Sequence, residues 1–399
     1  MKTREANQLS IIRSIIHNYA FDEPLHFFLK KFFNRHRQMG SRDRKQAAAL
    51  VFNYFRTEKM TGCSPDEKLA ISNFLCVTKN SPLVDFCIQS FTPFNFDDLL
   101  LTQTEKINLV KKNYPGFSAG EIFPFNNEIS EALDVNLFNR SFLVQPYAWI
   151  RIRSGMKTET LEEIKNNNLE FCAVHNDMHC IGFASGSKLT DLDSWKKGWF
   201  EIQDFSSQRV GSMFENVEAN SKIWDCCSGS GGKSLLLKDL FPEVFLIASD
   251  HRKNILKNAE IRFRKAGIKN YQLYSLNLLN ENDLSDSAWL KPDLFDCILL
   301  DAPCSGSGTW QRTPEMLTCF NENSIQHFSA TQKKLIAAVR PFLKAGGRLI
   351  YVTCSVFRKE NEEVISHSEE NGFRLESSEW FKGYESRADT LFAARLIKT

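Results

Sequence analysis

Two short stretches of this 399-residue chain hold residue types from which covalent chemistry can be built. Asp301-Ala302-Pro303-Cys304 and Thr353-Cys354-Ser355 each close an apolar run, at 295–301 and 348–355. A thiol attacks only as its thiolate, so a cysteine matters where its surroundings make it reactive. The plain alternative is that both are small buried apolar residues, as free cysteines often are. A third stretch, Asp225-Cys226-Cys227 followed by Ser228-Gly229-Ser230-Gly231-Gly232-Lys233, is a glycine-rich loop after another apolar run. Asp250 and Asn277 end two more such runs.

The glycine loop is ambiguous by itself. A phosphate-binding loop would need a glycine where Cys227 stands, and the dinucleotide fingerprint would need one at Ser234. A tight strand-to-helix turn explains it equally well. Asp250 shifts the balance, because an acid ending the next strand, about 20 residues on, suits the two hydroxyls of a ribose. Asn277 offers both a donor and an acceptor to an adenine edge. Together they suit an adenosyl group without phosphates.

The elements that would position these residues follow from the spacing of apolar residues. From about 206 onward, short strands (223–227, 244–250, 271–277, 295–301, 348–355) alternate with amphipathic helices (233–240, 252–266, 324–343, 360–370). That rhythm predicts an α/β fold, a Rossmann-like, doubly wound and mostly parallel sheet, whose ligands bind outside the carboxyl ends of its strands. Every residue named above stands at such an end. Residues 1–135 show helical spacing, as in Ala47, Leu50, Val51, Tyr54 and Phe55, and are expected to form an all-α domain. Residues 136–205 combine an alternating run at 147–153, a helix over 158–166 opened by a threonine cap, and a hairpin turning at Asn176-Asp177. They are expected to form a small α+β module with an RRM-like layout, leaving 206–399 as the catalytic domain.

At this point a resemblance becomes specific. DAPCSGSG at 301–308 and YVTCS at 351–355 resemble the two signature motifs of the RsmB/Nop/Sun family of RNA cytosine-C5 methyltransferases, and EIQDFSSQ at 201–208 resembles the segment leading into their catalytic domain. The resemblance implies S-adenosylmethionine as cofactor, held by Cys227, Ser228, Gly229, Ser230, Gly231, Gly232, Lys233, Asp250, Asn277 and Asp301. It further implies that Cys354 adds to C6 of a cytosine, that Asp301 hydrogen-bonds the base, and that Cys304 assists release. As thiols, Cys226, Cys227, Cys297 and Cys319 are read as packing residues. The loop departs from the family's usual Ala-Ala-Pro-Gly-Gly-Lys, and Asn277 stands where an aspartate is usual. GSRDRKQAAALVFNYFR at 40–56 resembles the NusB-like helical segment of RsmB-type members, which points to small-subunit ribosomal RNA. Transfer RNA is the nearest rival substrate, and a non-catalytic ribosome-assembly factor on the same fold is the rival outside enzymes.

Composition bounds the rest. The 42% hydrophobic and 25% charged fractions are those of a globular protein, and a net charge of +2 neither favours nor excludes a polyanionic partner. No apolar run reaches the roughly 20 residues of a membrane span. Eleven scattered cysteines suit a reducing cytoplasm, and a cytoplasmic monomer is expected. Local basic clusters are Lys30, Lys31, Arg35, Arg37, Arg42, Arg44 and Lys45, interleaved with Phe28, Phe32 and Phe33, which could track an RNA backbone. Arg151 and Arg153 are further candidate phosphate contacts. Cys172, His175, His179 and Cys180 have metal-like spacing, but on a tight hairpin they would point to both faces, so no metal is expected.

Overall fold

The computed structural model describes residues 3–36, 39–77, 79–95, 97–175, 178–215 and 217–399. Arg37 and the expected Asn176-Asp177 turn lie outside the described residues. Contacts divide the chain into two compact units, one of 1–127, 134–145 and 310–322, the other of 128–133, 146–309 and 323–399.

The first unit is helical: α1 (Arg4–Asn18), α2 (Leu25–Arg35), α3 (Ser41–Arg56), α4 (Pro65–Cys76), α5 (Pro82–Phe91), α6 (Gln103–Asn113) and α7 (Val135–Ser141). Helix α3 buries Ala47, Leu50, Val51, Tyr54 and Phe55, the stripe that i, i+3, i+4 spacing produces. Helix α4 begins at a reciprocal capping box between Ser64 and Glu67 with Pro65 at its first position, and Thr102 and Glu105 do the same for α6. Residues 310–322 join this unit although they follow the Cys304 motif in sequence. Trp310 is fully buried against Phe123, ring centroids 5.6 Å apart, and Glu315 accepts the Leu25 amide at 3.1 Å.

In the second unit, β1 (Ala148–Ile152), α8 (Lys157–Asn166), β2 (Ala173–His175), β3 (Cys180–Phe183), α9 (Asp193–Lys196) and β4 (Phe200–Ile202) form a βαββαβ module. Its four-stranded sheet has the order β2-β3-β1-β4 and is antiparallel throughout. The α8 helix starts one residue before Thr158, and Met156 stands at its cap without a side-chain hydrogen bond, so no threonine caps it. Ile150, Ile152, Ile181 and Phe183 pack under α8, while Trp149 and Cys180 pack on Ala388. Both faces of β1 and β3 are therefore covered, while Val174 of β2 and Ile202 of β4 stay exposed.

A seven-stranded sheet follows, built from β5 (Lys222–Asp225), β6 (Phe245–Asp250), β7 (Tyr271–Ser275), β8 (Phe295–Asp301), β9 (Leu343–Thr353), β10 (Phe373–Lys382) and β11 (Thr390–Lys398). Its order is β10-β11-β9-β8-β5-β6-β7, parallel from β9 to β7, with β11 and β10 antiparallel at one edge. Alternate residues feed cores on opposite faces: Trp224, Ile298, Leu300 and Tyr351 on one, Ile223, Leu299, Ile350 and Val352 on the other. Burial on both faces is why these strands read as continuous apolar runs. The helices are α10 (Phe205–Arg209), α11 (Gly232–Leu240), α12 (Lys253–Lys265), α13 (Glu281–Asp286), α15 (Asn323–Val339) and α16 (Glu362–Glu370), with α14 (Met316–Cys319) in the first unit. No described helix is long and apolar enough to cross a membrane. Strand order reverses between β5 and β8, which opens a crevice at their carboxyl ends.

Candidate active site

The loop after β5 is shaped by two glycines. Gly229 and Gly231 have φ of +54° and +79°, a region open to glycine without a Cβ penalty. A Cβ on Gly231 would also lie 2.5 Å from the Phe263 ring, so the turn is fixed by packing as well as by backbone. Arg262 donates to Ser230 O and Oγ at 2.9 Å each and pairs with Glu201 at 2.7 Å, holding the outer side of the loop. Ser228 donates its amide to Ser249 O at 2.9 Å, while its hydroxyl is buried without a partner.

Asp250, at the end of β6, is buried and accepts the Gly229 amide at 3.0 Å. Both its oxygens also receive the Arg252 side chain at 2.9 Å. Burial pushes its pKa up, but the hydrogen bonds from Arg252 and Gly229 prevail and hold it below the ordinary carboxylate value. Asn277 is exposed beyond β7; its Oδ1 accepts the Leu279 amide at 3.1 Å, and its Nδ2 has no partner among the described residues.

Lys233 opens α11 and reaches across the crevice to Asp301 at the end of β8, Nζ to Oδ2 2.7 Å. Burial works against the ammonium, yet Asp301 first, and then Cys354 and Asp225, keep its pKa above the ordinary lysine value. Beyond Asp301 the two motifs converge: Cys304 Sγ lies 3.4 Å from Cys354 Sγ. Their loops are pinned by Gly308, whose amide donates to Cys354 O at 2.9 Å. The Cys304 pKa stands well above the ordinary thiol value, because of its hydrogen bond with Cys354, then burial, then the charges of Cys354 and Glu360. One thiol of the pair is thus held protonated next to the other.

The structure therefore brings together Lys233, Asp301, Cys304 and Cys354, and places Asp250 against the loop at Gly229. Cys226 and Cys297 are buried in the cores, Cys226 donating to Leu299 O at 3.2 Å, and Cys319 is exposed in the helical unit. Three residues near the site were missed. Asp225 is fully buried with Oδ2 accepting from Ser234 Oγ at 2.5 Å and Oδ1 without a partner; burial above all pushes its pKa up to about 7. Arg252 covers Asp250, and Glu360 lies behind the thiols. Asp225 stood in plain view before the loop, but nothing in sequence distinguishes a buried carboxylate from a turn former.

Other expected contacts resolve differently. Arg151 and Arg153 both pair with Asp239, Arg153 at 2.8 Å, and Arg153 also donates to Ala266 O at 2.5 Å. With side chains 9% and 18% exposed, they brace the small module on α11 rather than meet phosphate. In α2, Phe33 is buried, Phe28 packs on Tyr19, and Phe32 stacks on His36, so these rings serve packing. Lys31 pairs with Glu23 and Arg44 holds Met39 O, while Lys30, Arg35, Arg42 and Lys45 are exposed. Cys180 is buried and Cys172 exposed, and among the described residues no group of three His, Cys, Asp or Glu is placed to hold a metal.

Comparison with known proteins bears on the region that carries these residues. Residues 212–396 match the family model described as 16S rRNA methyltransferase RsmB/F. Over just under half of the chain, these residues are similar to the RsmB/F methyltransferase family. The ribosomal RNA small subunit methyltransferase B of Yersinia enterocolitica is 28% identical over 226 residues, 56% of this chain and 51% of that protein. The protein of the same name from Citrobacter koseri is 31% identical over 174 residues, 44% and 39% of the two chains. The chain thus spans about half the length of such relatives. Among solved structures, PH0851 superposes over all of both chains with a TM-score of 0.73 at 17% identity. NSun6 from Pyrococcus horikoshii with SFG gives 0.59 at 18% identity, covering 69% of this chain and 97% of that one. These two likenesses bear on the fold, and the RsmB/F-type region is the half of the chain that carries the crevice.

Proposed function

We propose that the chain is an S-adenosylmethionine-dependent RNA cytosine-C5 methyltransferase acting on small-subunit ribosomal RNA. The observation that carries this reading is the Cys304–Cys354 pair, 3.4 Å apart at adjacent strand ends and next to the Lys233–Asp301 ion pair. The names of the relatives support the ribosomal substrate.

The crevice residues fit the cofactor. The loop at 227–232 has no room for a side chain at Gly231, and Asp225 Oδ1 and Ser228 Oγ are buried polar atoms without partners. Asp250 would take the ribose hydroxyls once the exposed Arg252 side chain swings aside, and Asn277 Nδ2 would reach the adenine edge. S-adenosylmethionine supplies an electrophilic methyl group on a sulfonium. The remaining work falls to the protein. Cys354, as thiolate, adds to C6 of the cytosine and makes C5 nucleophilic. Asp301 accepts from the exocyclic amine, with Lys233 fixing its orientation. Cys304 rests protonated; once it has lost that proton to solvent, its raised pKa makes its thiolate a strong base, suited to take the C5 proton while the Cys354–C6 bond breaks and Cys354 leaves as thiolate. The exposed Lys30, Arg35, Arg42 and Lys45 of the helical unit are the proposed RNA-backbone contacts. The proposed setting is the cytoplasm, where free thiols persist.

The test is a pair of single mutants incubated with ribosomal RNA and the cofactor. Cys304→Ala should accumulate a denaturant-resistant protein–RNA adduct, and Cys354→Ala should form neither adduct nor 5-methylcytosine. Full 5-methylcytosine production by Cys354→Ala would overturn the mechanism. Bisulfite sequencing of RNA from cells with and without the protein distinguishes ribosomal from transfer RNA.

A further inference from the structure

Glu360 belongs to neither thiol motif, yet it is fully buried behind both. Its Oε2 accepts the Ser305 amide at 2.9 Å and Gln332 Nε2 at 3.0 Å, while its Oε1 accepts Ser355 Oγ at 2.7 Å. Ser305 directly follows Cys304, and Ser355 directly follows Cys354. One carboxylate therefore grips the residue next to each thiol. Gln332 also donates to Pro303 O at 3.0 Å, which ties the same carboxylate to the other side of Cys304. The backbone of Glu360 is itself fixed, since Tyr351 of β9 donates its hydroxyl to Glu360 O at 2.6 Å. We infer that Glu360 is a positioning residue, which sets the spacing of the Cys304 and Cys354 thiols by holding their two loops together.

A buried carboxylate is costly unless its lone pairs are met, and here three donors meet them. Those donors lie on three separate segments: the loop after β8, the loop after β9, and α15. The carboxylate therefore acts as a junction, whereas a residue filling space would not need these directions. A glutamine can keep the junction. Its amide oxygen can accept from Ser305 and Gln332, and its amide nitrogen can donate to Ser355 Oγ, which keeps its bond from Phe357 N and turns its own proton towards Ser307 Oγ, 3.3 Å away. An alanine cannot.

The inference rests on the two-thiol reading for its meaning, but its test does not. Full-length protein is treated with dibromobimane, a bifunctional thiol reagent, and the bridged Cys304–Cys354 peptides are quantified by mass spectrometry. We expect Glu360→Ala to lower the bridging yield at least tenfold and kcat by a similar factor, with KM for RNA and cofactor within twofold. Glu360→Gln should restore most of both. Wild-type bridging in Glu360→Ala, or an equal loss in Glu360→Gln, would overturn the inference. Should Glu360→Ala fail to fold, Gln332→Ala removes one donor and should reduce bridging severalfold; unchanged bridging there counts against the inference. If bridging depends on Glu360 while Cys354→Ala stays active, the positioning role stands and the covalent mechanism falls.

Discussion

Asp225 offers a measurement whose size follows from the structure. Its carboxyl is fully buried beside the glycine-rich loop, and its pKa is raised from the ordinary 3.8 to about 7, chiefly by burial and despite the Ser234 hydrogen bond. The sign is that of an acid harder to ionise when folded: stability is complete below the unfolded pKa and is lost as pH rises towards the folded one. The window is thus from about 4 to about 7, with little further change above it. Between pH 5 and pH 8 the wild type should lose about 2–3 kcal/mol from this group. Asp225→Asn removes the titration. Its amide nitrogen would occupy the place of the unpartnered Oδ1, which costs about 1–3 kcal/mol at every pH, so the diagnostic is the slope and not the offset. Urea denaturation of both proteins at pH 5 and pH 8 measures it. The mutant should gain about 2–3 kcal/mol relative to wild type between the two pH values. Parallel pH dependence of the two proteins would refute the reasoning, because it would mean that Asp225 ionises in the fold as freely as in the unfolded chain.

Other perturbations test neighbouring contacts. Asp239→Ala leaves the buried Arg151 with Gln203, and Arg153 with backbone carbonyls, but removes the carboxylate that both pair with, and should cost about 3 kcal/mol in urea denaturation; a loss under about 1 kcal/mol would mean the pairs are idle. Gly308→Ala would put a Cβ 2.0 Å from Thr390 O and 3.0 Å from Cys354 O, both backbone atoms that cannot rotate away. It should cost about 3 kcal/mol and shift the Cys354 loop, read as a lowered Tm and reduced thiol bridging. Arg252→Ala frees Asp250 from a guanidinium whose side chain is 54% exposed. Because the Arg252 end of the pair is solvated while Asp250 is buried, we take about 1 kcal/mol for their contact, so calorimetry should show S-adenosylmethionine binding about fivefold tighter. A tenfold weakening would make Arg252 part of the cofactor site instead of its competitor.

What sequence shows and what it hides can be traced to particular residues. The inner parallel strands are legible because burial on both faces makes them apolar runs, as 295–301 and 348–353 illustrate, while the edge strand β7 is only partly buried. The edge strand β10, by contrast, mixes buried and exposed residues along its length, and a reading tuned to continuous runs passes over it. Arg151 and Arg153 look in sequence like solvent-facing cations, since their partner Asp239 is distant in the chain. Glu360 reads as the start of a helix, because nothing local shows that Ser305 and Gln332 converge on it. Residues 310–322 continue the Cys304 motif in sequence, and only their burial, with Trp310 against Phe123, assigns them to the helical unit.

The positions of the two thiols follow from the sheet more than from either motif. Strands β8 and β9 are parallel neighbours with Asp301 opposite Val352, so Cys304 and Cys354 emerge from adjacent strand ends, about 5 Å apart in the ladder. Strand β5 borders β8 on its other side, where the strand order reverses and the crevice opens. The glycine loop and the thiol pair are therefore forced onto opposite flanks of one strand, and Asp301 is the residue at its end. Its ion pair with Lys233 spans the loop side, and its chain leads directly into Cys304. A base bound at Asp301, as proposed, would then have a thiol on one side and the glycine loop on the other. Attack at C6 and methylation at C5 require that division of the two faces.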